Sequence, residues 1–184
     1  NACLTTGVRR LLHVSSVAAI GKEKEQKVVD EGNKWIEGSI VSNYAESKYQ
    51  AELEVWRGQE EGLNTVIVNP SVILAPADWN KSSAQLFKYA WQERSFYTDG
   101  SFNAVDVRDV ADCIVQLYHS NIEAERFIVA GYTITYHDFF AKAAAHFGKK
   151  APNIKVPRAL LQVAARLEAI RSMIIGSKPL ITKE

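Results

Sequence analysis

The sequence predicts an α/β fold built on a parallel sheet, and three features of its first 76 residues indicate this. Two short segments, residues 11–14 and 65–69, are largely apolar rather than alternating, which is typical of strands covered on both faces. Between them, residues 42–61 carry apolar side chains at helical spacing. Strand, helix and strand of these lengths form a βαβ unit with parallel strands and a right-handed crossover.

The first predicted strand ends in two adjacent serines, Ser15 and Ser16. Ligands of open parallel sheets bind at the carboxyl ends of the strands, so both hydroxyls are candidate substrate contacts. The alternative is that they only hydrogen-bond the local backbone, as serines in turns often do. The polar residues 21–41 that follow predict a long loop, and such loops are often functional in compact domains.

The predicted helix places Tyr44 and Lys48 on one face, because residues four apart lie above one another. A phenol is a poor acid–base catalyst at neutral pH. A cation about 4 Å away, at an effective dielectric constant near 20, favours the ionised phenol by roughly 4 kcal/mol before desolvation. The pair is therefore a candidate acid–base site. The alternative is a helix-face pair with no chemistry, which chance produces on many helices.

Two further features of this helix are predicted. Asn43 and Glu46 have the spacing of a capping box at its start. An apolar stripe is expected to pack on the sheet; it consists of Ala45, Tyr49, Leu53 and Trp56.

The rest of the chain predicts alternating helices and short strands. Gly7 is expected to stop a helix that begins before residue 1, and Gly62 and Gly148 to stop two others. Helices are predicted at residues 82–94, 107–120, 136–147 and 158–175, strands at 95–97, 102–105 and 126–129, and a linker at 152–157. Thr135 is the expected N-cap of the third helix. The apolar face of the last helix is suited to covering the domain or to contacting a second subunit in a homodimer.

Composition excludes several classes of function. The chain has 184 residues, 47% of them apolar and 23% charged, with a net charge of +1. This predicts a globular protein that binds neither nucleic acid nor an anionic membrane. Cys3 and Cys113 have no metal-ligand spacing and the four histidines are scattered, so no metal site is predicted. Two reduced, buried thiols in a cytoplasmic protein are expected.

The order of these motifs resembles a known family. A strand ending in Ser-Ser, a Tyr-x-x-x-Lys helix and a strand ending in Asn69-Pro70 resemble the extended short-chain dehydrogenase/reductase family. Within it, the nucleoside-diphosphate-sugar epimerases and the dihydroflavonol-reductase-like members are the most similar. Asp30-Glu31 with Trp35 resembles the reductase-like branch, and residues 105–111 resemble the family segment Val-x-Asp-Val-Ala. The resemblance covers residues 1 to about 150.

The resemblance implies roles for individual residues. Tyr44 would be the general acid–base catalyst, and Lys48 would favour its ionisation and bind the nicotinamide ribose of NAD or NADP. Ser16 would hydrogen-bond the oxygen of a small-molecule substrate, with Ser15 as the second choice. The backbone around Pro70, Ser71 and Val72 would contact the nicotinamide carboxamide. Arg94 and Arg108 are candidates for holding a substrate diphosphate.

The chain departs from the family pattern in two places. Ala75-Pro76 stands where the family usually has Gly-Pro, and the phosphate-binding Gly-x-x-Gly-x-x-Gly turn is absent from the sequence. The resemblance therefore implies the C-terminal part of a Rossmann-type doubly wound sheet, without its N-terminal dinucleotide-binding half. Residues 1–76 would belong to this sheet, and residues 77–184 mainly to a small α/β substrate domain, with segments near 102–130 returning to the sheet.

Three functions remain open at this point. The first is an NAD(P)-dependent oxidoreductase or epimerase that acts on a hydroxyl or carbonyl carbon. The second is a non-catalytic fragment or interaction module, because a sheet opened before residue 11 exposes a strand edge. The third is a structural domain that has lost catalysis. The substrate, the reaction direction and the choice between NAD and NADP are not determined by these residues.

Overall fold

The computed structural model describes residues 1–22, 26, 28–36 and 42–157. They form two compact units. The first contains residues 1–75 and 103–132, and the second contains residues 76–102 and, among the described residues, 133–157. The helix predicted at 158–175, with its possible dimer face, lies outside the described residues.

A parallel sheet with the order β1-β2-β6 is the centre of the first unit. Its strands are β1 (Arg10–Val14), β2 (Asn64–Pro70) and β6 (Glu125–Val129). The two strands predicted first are confirmed and are parallel. β2 is buried along nearly all its length, whereas β1 is only half-buried because it lies at the edge of the described sheet.

Helix α2 (Asn43–Glu60) connects β1 to β2, close to its predicted range. The predicted capping box is wrong: the N-cap is Ser42, whose hydroxyl accepts a hydrogen bond from the Ala45 amide at 3.0 Å. Glu46 therefore stands one residue too far along the helix to complete a box. Between the 3-10 helix Val17–Ala19 and α2, the described residues form no helix or strand, as the loop prediction required.

The side of α2 that is buried differs from the predicted stripe. The buried positions are Ala45, Glu52, Val55 and Gly58. Leu53 is instead 41% exposed. Tyr49 is half-buried and stacks on Trp35 of the preceding loop, with ring centroids 4.3 Å apart. The stripe prediction is therefore wrong at Leu53, and Tyr49 packs against the loop.

The remaining elements of the first unit complete its core. β3 (Val72–Leu74) pairs in parallel with β5 (Ser101–Asp106), most of which lies in this unit. The strand β7 (Tyr132–Thr135) begins at the last residue of the unit. Helix α4 (Val107–His119) follows β5 directly and was predicted within one residue. A short helix, α1 (Ala2–Thr5), precedes β1. The buried cluster contains Val66, Val68, Val105, Val110, Leu117 and Val129.

The second unit is built from α3 (Ala84–Trp91), β4 (Phe96–Thr98), α5 (Tyr136–Phe147) and β8 (Ile154–Val156). Helix α5 has its predicted bounds, its predicted cap Thr135, and Gly148 in the left-handed conformation with φ 64°. The predicted linker at 152–157 is wrong, because it contains β8, which pairs in parallel with β4. The aromatic side chains of α3 and α5 pack together, with Phe87 against Phe139 and Tyr89 against Phe140.

Two further expectations can be compared with the described residues. Both cysteines are free, but they are half-buried rather than buried as expected. Among the residues described, no three His, Cys, Asp or Glu side chains are grouped to hold a metal ion. The helices of the described part are too short or too polar for any of them to cross a membrane.

Candidate active site

The carboxyl ends of β1 and β2 meet at one edge of the parallel sheet, where ligands of such sheets bind. Val14 is paired with Val68, and the Ser15 amide donates to the Val68 carbonyl at 2.8 Å. The sheet register therefore places the two serines after β1 beside Asn69 and Pro70 of β2.

The two serine hydroxyls have different surroundings. Ser16 Oγ accepts a hydrogen bond from the Ala18 amide at 3.2 Å and so caps the 3-10 helix. A hydroxyl that accepts from the backbone still has its own proton to donate, so Ser16 can also bind a substrate oxygen. Ser15 is buried, and its Oγ has no hydrogen-bond partner among the described residues. The alternative, that the serines only hydrogen-bond the local backbone, thus applies in part to Ser16 and does not account for Ser15.

Lys48 reaches from α2 to the end of β1. Its Nζ donates to the carbonyl oxygen of Val14 at 3.4 Å. Tyr44 lies one turn earlier on the same helix and is 57% exposed. The fold therefore brings the lysine to the strand end that carries the serines and leaves the phenol accessible to solvent at the start of the same helix.

A buried carboxylate and a buried amide join α2 to Ser16, and neither group was predicted from the sequence to have a role. Glu52 and Asn69 are 1% and 0% exposed. Asn69 Nδ2 donates to Glu52 Oε1 at 2.6 Å and to the Ser16 carbonyl at 2.9 Å. One signal could have identified Glu52, because it lies four residues after Lys48 and eight after Tyr44 and so shares their helix face.

Arg126 of β6 joins this pair to the loop before α2. Its Nη1 lies 3.5 Å from Glu52 Oε2. Its Nε and Nη2 donate to the carbonyls of Glu31 and Asn33 at 2.8 and 2.5 Å. The guanidinium is thus shared between the buried carboxylate and the backbone of a segment that the sequence predicted only as a loop.

His13 lies on β1, and the charges of Lys48 and Glu52 act on its pKa in opposite directions. Burial and the neighbouring Lys48 charge lower its pKa below the ordinary 6.5, while Glu52 raises it less. Its Nε2 is buried and has no partner in the described part of the chain. The site therefore favours the neutral imidazole.

The predicted cofactor contacts lie at the end of β2. The Ser71 amide is occupied, since it donates to the Val129 carbonyl at 2.9 Å. The Ser71 hydroxyl is buried and unpartnered within the described ranges. Pro70 is buried as the last residue of β2, and Val72 begins β3. The serine side chain, rather than its amide, is the group left for a ligand.

The two candidate arginines lie in different units. Arg108 is exposed and forms two hydrogen bonds with Asp106, from Nε at 2.9 Å and from Nη2 at 2.7 Å. These bonds lower the pKa of Asp106 to about 2. Arg94 belongs to the second unit, where it lines a cavity of about 550 Å³ with aromatic side chains that include Tyr89 and Tyr136. A substrate anion would have to compete with Asp106 for Arg108.

Comparison with known proteins identifies relatives of this chain. The model of the NAD dependent epimerase/dehydratase family matches residues 1–131. A putative dihydroflavonol 4-reductase from Synechocystis is 29% identical over 82% of this chain and 46% of its own length. Cinnamoyl-CoA reductase 1 from Arabidopsis thaliana is 29% identical over 71% of this chain and 41% of its own. The chain spans about half the length of the curated relatives it matches.

Solved structures share the fold. The structure of gox2253 is 29% identical to this chain in sequence and aligns with a TM-score of 0.81. The alignment covers 99% of this chain and 56% of gox2253. A nucleoside-diphosphate-sugar epimerase from Pseudomonas aeruginosa is 22% identical, with a TM-score of 0.80 over 92% of this chain and 56% of its own. The expected Rossmann-type α/β class, represented in part, is thereby confirmed.

Proposed function

The chain belongs to the NAD-dependent epimerase/dehydratase family, and on that premise we propose that it carries the proton-transfer half of an NAD(P)-dependent oxidoreductase or epimerase site. The reaction acts on a hydroxyl or carbonyl carbon of a small molecule. The observation that carries the proposal is the position of Lys48, whose ammonium lies at the carboxyl end of β1 beside Ser15 and Ser16. Tyr44 stands on the same helix face, one turn away.

Each of these side chains has a distinct role in the proposed reaction. The Tyr44 phenol exchanges a proton with the substrate oxygen, and the Lys48 charge stabilises the phenolate form. The Ser16 hydroxyl donates a hydrogen bond to the same oxygen and fixes its direction. When bound, a nicotinamide supplies or accepts hydride at the adjacent carbon.

The residues present fit the nicotinamide end of such a cofactor. The buried hydroxyls of Ser15 and Ser71 have no partner in the described ranges, and a polar ligand would satisfy them. Lys48 has three ammonium donors, so one bond to a carbonyl leaves donors for a ribose. Pro70, Ser71 and Val72 would border the carboxamide. The sequence contains no glycine-rich turn for the pyrophosphate.

The relatives divide between two reaction types. Those with 29% identity include a dihydroflavonol 4-reductase and cinnamoyl-CoA reductases, whereas nucleotide-sugar epimerases share the fold. The sequence likeness favours reduction of a carbonyl. An epimerase would return the hydride to the same substrate, with no net oxidation of the cofactor.

Deuterated cofactor separates these reactions. The full-length protein would be incubated either with a dihydroflavonol and NADPH or NADH deuterated at the nicotinamide carbon that gives hydride, or with UDP-glucose and NAD+ or NADP+, since an epimerase first takes hydride from its substrate. A reductase transfers deuterium to the alcohol and consumes one cofactor per product. An epimerase inverts its sugar without consuming cofactor. Failure of both substrates and both cofactors would contradict the proposal.

A second function, an interaction module without catalysis, is favoured by one observation. β1 is paired on one side only within the described sheet, and an open strand edge can pair with another chain. Calorimetry of the 184-residue chain with NADH and NADPH distinguishes the two functions at the level of this polypeptide. Micromolar binding of either cofactor would contradict the interaction module. The module would be supported if neither cofactor gave a heat of binding with this chain while the full-length protein was active.

A further inference from the structure

We infer that Glu52 and Asn69 form a buried positioning pair that holds Ser16 for the reaction. The inference rests on the proposed function, since it assigns the two residues a task in the same site. Asn69 is the link: a single amide group on β2 contacts both the carboxylate of α2 and the carbonyl of Ser16. Neither contact involves the reacting atoms, so the pair acts through Ser16.

The orientation of the Asn69 amide is fixed by its neighbours. Both contacts of Nδ2 are acceptors, a carboxylate oxygen at 2.6 Å and a carbonyl oxygen at 2.9 Å. Rotating the amide by 180° would place its oxygen against both of them. The two protons of one NH2 group therefore tie the helix that carries Tyr44 and Lys48 to the residue that carries the substrate-binding hydroxyl.

Glu52 is buried, so its contacts with neighbouring groups replace those with water. A carboxyl group that is 1% exposed loses its hydration and needs hydrogen bonds and an opposite charge in place of water. Asn69 provides the hydrogen bond, and Arg126, itself 18% exposed, provides the charge at 3.5 Å. If position 52 were needed only for packing, an apolar residue would be sufficient there.

Ser16 is held by one contact at its side chain and one at its backbone. Oγ accepts from the Ala18 amide, which sets the side chain, and the carbonyl contact from Asn69 sets the backbone of the same residue. Two contacts on opposite parts of one residue hold the position of its hydroxyl oxygen. A displacement of about 1 Å at such a group can cost about 100-fold in rate.

A hydrogen-bond reversal separates positioning from simple stabilisation. Asn69→Asp leaves at most one proton to be shared between the two buried carboxyl groups and none for the Ser16 carbonyl, so the contact with Ser16 is lost. Adding Glu52→Gln restores a donor–acceptor pair between positions 52 and 69 in the reversed sense, but the Ser16 carbonyl still faces an acceptor. The matched control is Thr65→Val, which removes a part-buried side-chain hydrogen bond between the same strand and helix, from Thr65 to Gln59 at 2.8 Å.

The measurements are Tm, kcat and KM of the full-length protein, and hydrogen exchange of residues 15–20. We expect Asn69→Asp to lower both Tm and kcat, and the double variant to regain Tm while kcat stays about 100-fold low and residues 15–20 exchange faster. Thr65→Val should lower Tm and leave kcat unchanged. Where Asn69→Asp alone does not fold, the double variant is compared with Glu52→Gln, which differs from it only at position 69.

Two outcomes would contradict different claims. Recovery of kcat together with Tm in the double variant, or unchanged exchange of residues 15–20, would show that the pair is only structural and would overturn the inference. Faster exchange with turnover that also tolerates Ser16→Ala would leave the pair in place and contradict the proposed role of Ser16.

Discussion

Lys48 Nζ lies 3.4 Å from the carbonyl oxygen of Val14, the last residue of β1. This contact joins the helix that follows the loop to the strand that precedes it, 34 residues earlier in the chain. It places a positive charge where the proposed reaction develops negative charge on oxygen. The ammonium keeps donors for a ligand because a single carbonyl cannot occupy all three.

Lys48→Met is expected to lower kcat by about 100-fold or more, because it removes the charge while keeping the length of the side chain. Affinity for NADH or NADPH should fall as well, and calorimetry measures this separately from turnover. The control is Lys81→Met, since Lys81 is exposed and forms only a long ion pair with Asp78, at 4.0 Å, within the described residues. Equal turnover in both variants would contradict the role of Lys48.

His13 should make the protein less stable in acid. Burial and Lys48 lower its pKa, so the unfolded chain binds a proton near pH 6.5 that the folded chain resists. Its stabilising contribution is complete above pH 6.5 and declines as the pH falls below that value. His13→Gln should flatten the dependence of unfolding free energy on pH in this range.

In Lys48→Met, the pKa of His13 should rise, because the Lys48 charge is one cause of its lowering. An NMR titration of His13 that showed no rise would contradict the assignment of Lys48 as a cause.

Asp106 and Arg108 form a second pH-sensitive pair. The pKa of Asp106 is lowered to about 2 from an ordinary 3.8, first by the side-chain and then by the backbone hydrogen bond from Arg108. The stabilising effect of this carboxylate is present above pH 3.8 and is lost as the pH falls towards 2. Arg108→Gln should move the pKa back towards 3.8, as measured by carboxyl NMR titration. An unchanged pKa would show that the side-chain bond does not cause the shift.

Gly21→Ala is expected to destabilise the fold by about 2–3 kcal/mol, at the upper end of overpacking effects. A Cβ at this position would lie 1.7 Å from the Lys34 carbonyl oxygen and 2.7 Å from the Trp35 Cα, so backbone would have to move. The control is Gly58→Ala in α2, where a Cβ meets only the Leu63 side chain at 3.5 Å. Alanine there should stabilise the helix by up to about 1 kcal/mol. Thermal melts compare the two, and an unchanged Tm in Gly21→Ala would contradict the close approach.

Local patterns determined the elements that were predicted correctly. α5 has a capping threonine, helical periodicity and a terminal glycine, so its bounds follow from residues within the segment itself. β8 has none of these signals. Its three residues lie between Asn153 and Pro157, and their extended backbone depends on pairing with β4, more than 50 residues away. Propensity cannot report a strand that only its partner defines.

The candidate site shows the same division. The spacing of Tyr44 and Lys48 was visible in the sequence, and the parallel strands account for the serines beside them. Glu52 and Asn69 could not be identified as a pair, because charged and amide residues are ordinarily exposed and only the folded contacts show them to be buried. The apolar stripe of α2 was mispredicted for a related reason, since Tyr49 stacks on Trp35 of the preceding loop and Leu53 is left exposed.

Replacing Tyr44 by Phe in the full-length protein removes the proposed acid–base group and little else. The change removes one hydroxyl from an exposed side chain, so the fold and cofactor binding should persist. Tyr49→Phe is the matched control on the same helix, where the ring stacks on Trp35 and its hydroxyl has no proposed role. We expect turnover to fall by at least about 100-fold in Tyr44→Phe and to stay unchanged in Tyr49→Phe, with NADPH or NADH bound equally by both, because the reaction requires the acid–base role of the Tyr44 hydroxyl. Wild-type turnover in Tyr44→Phe would contradict it.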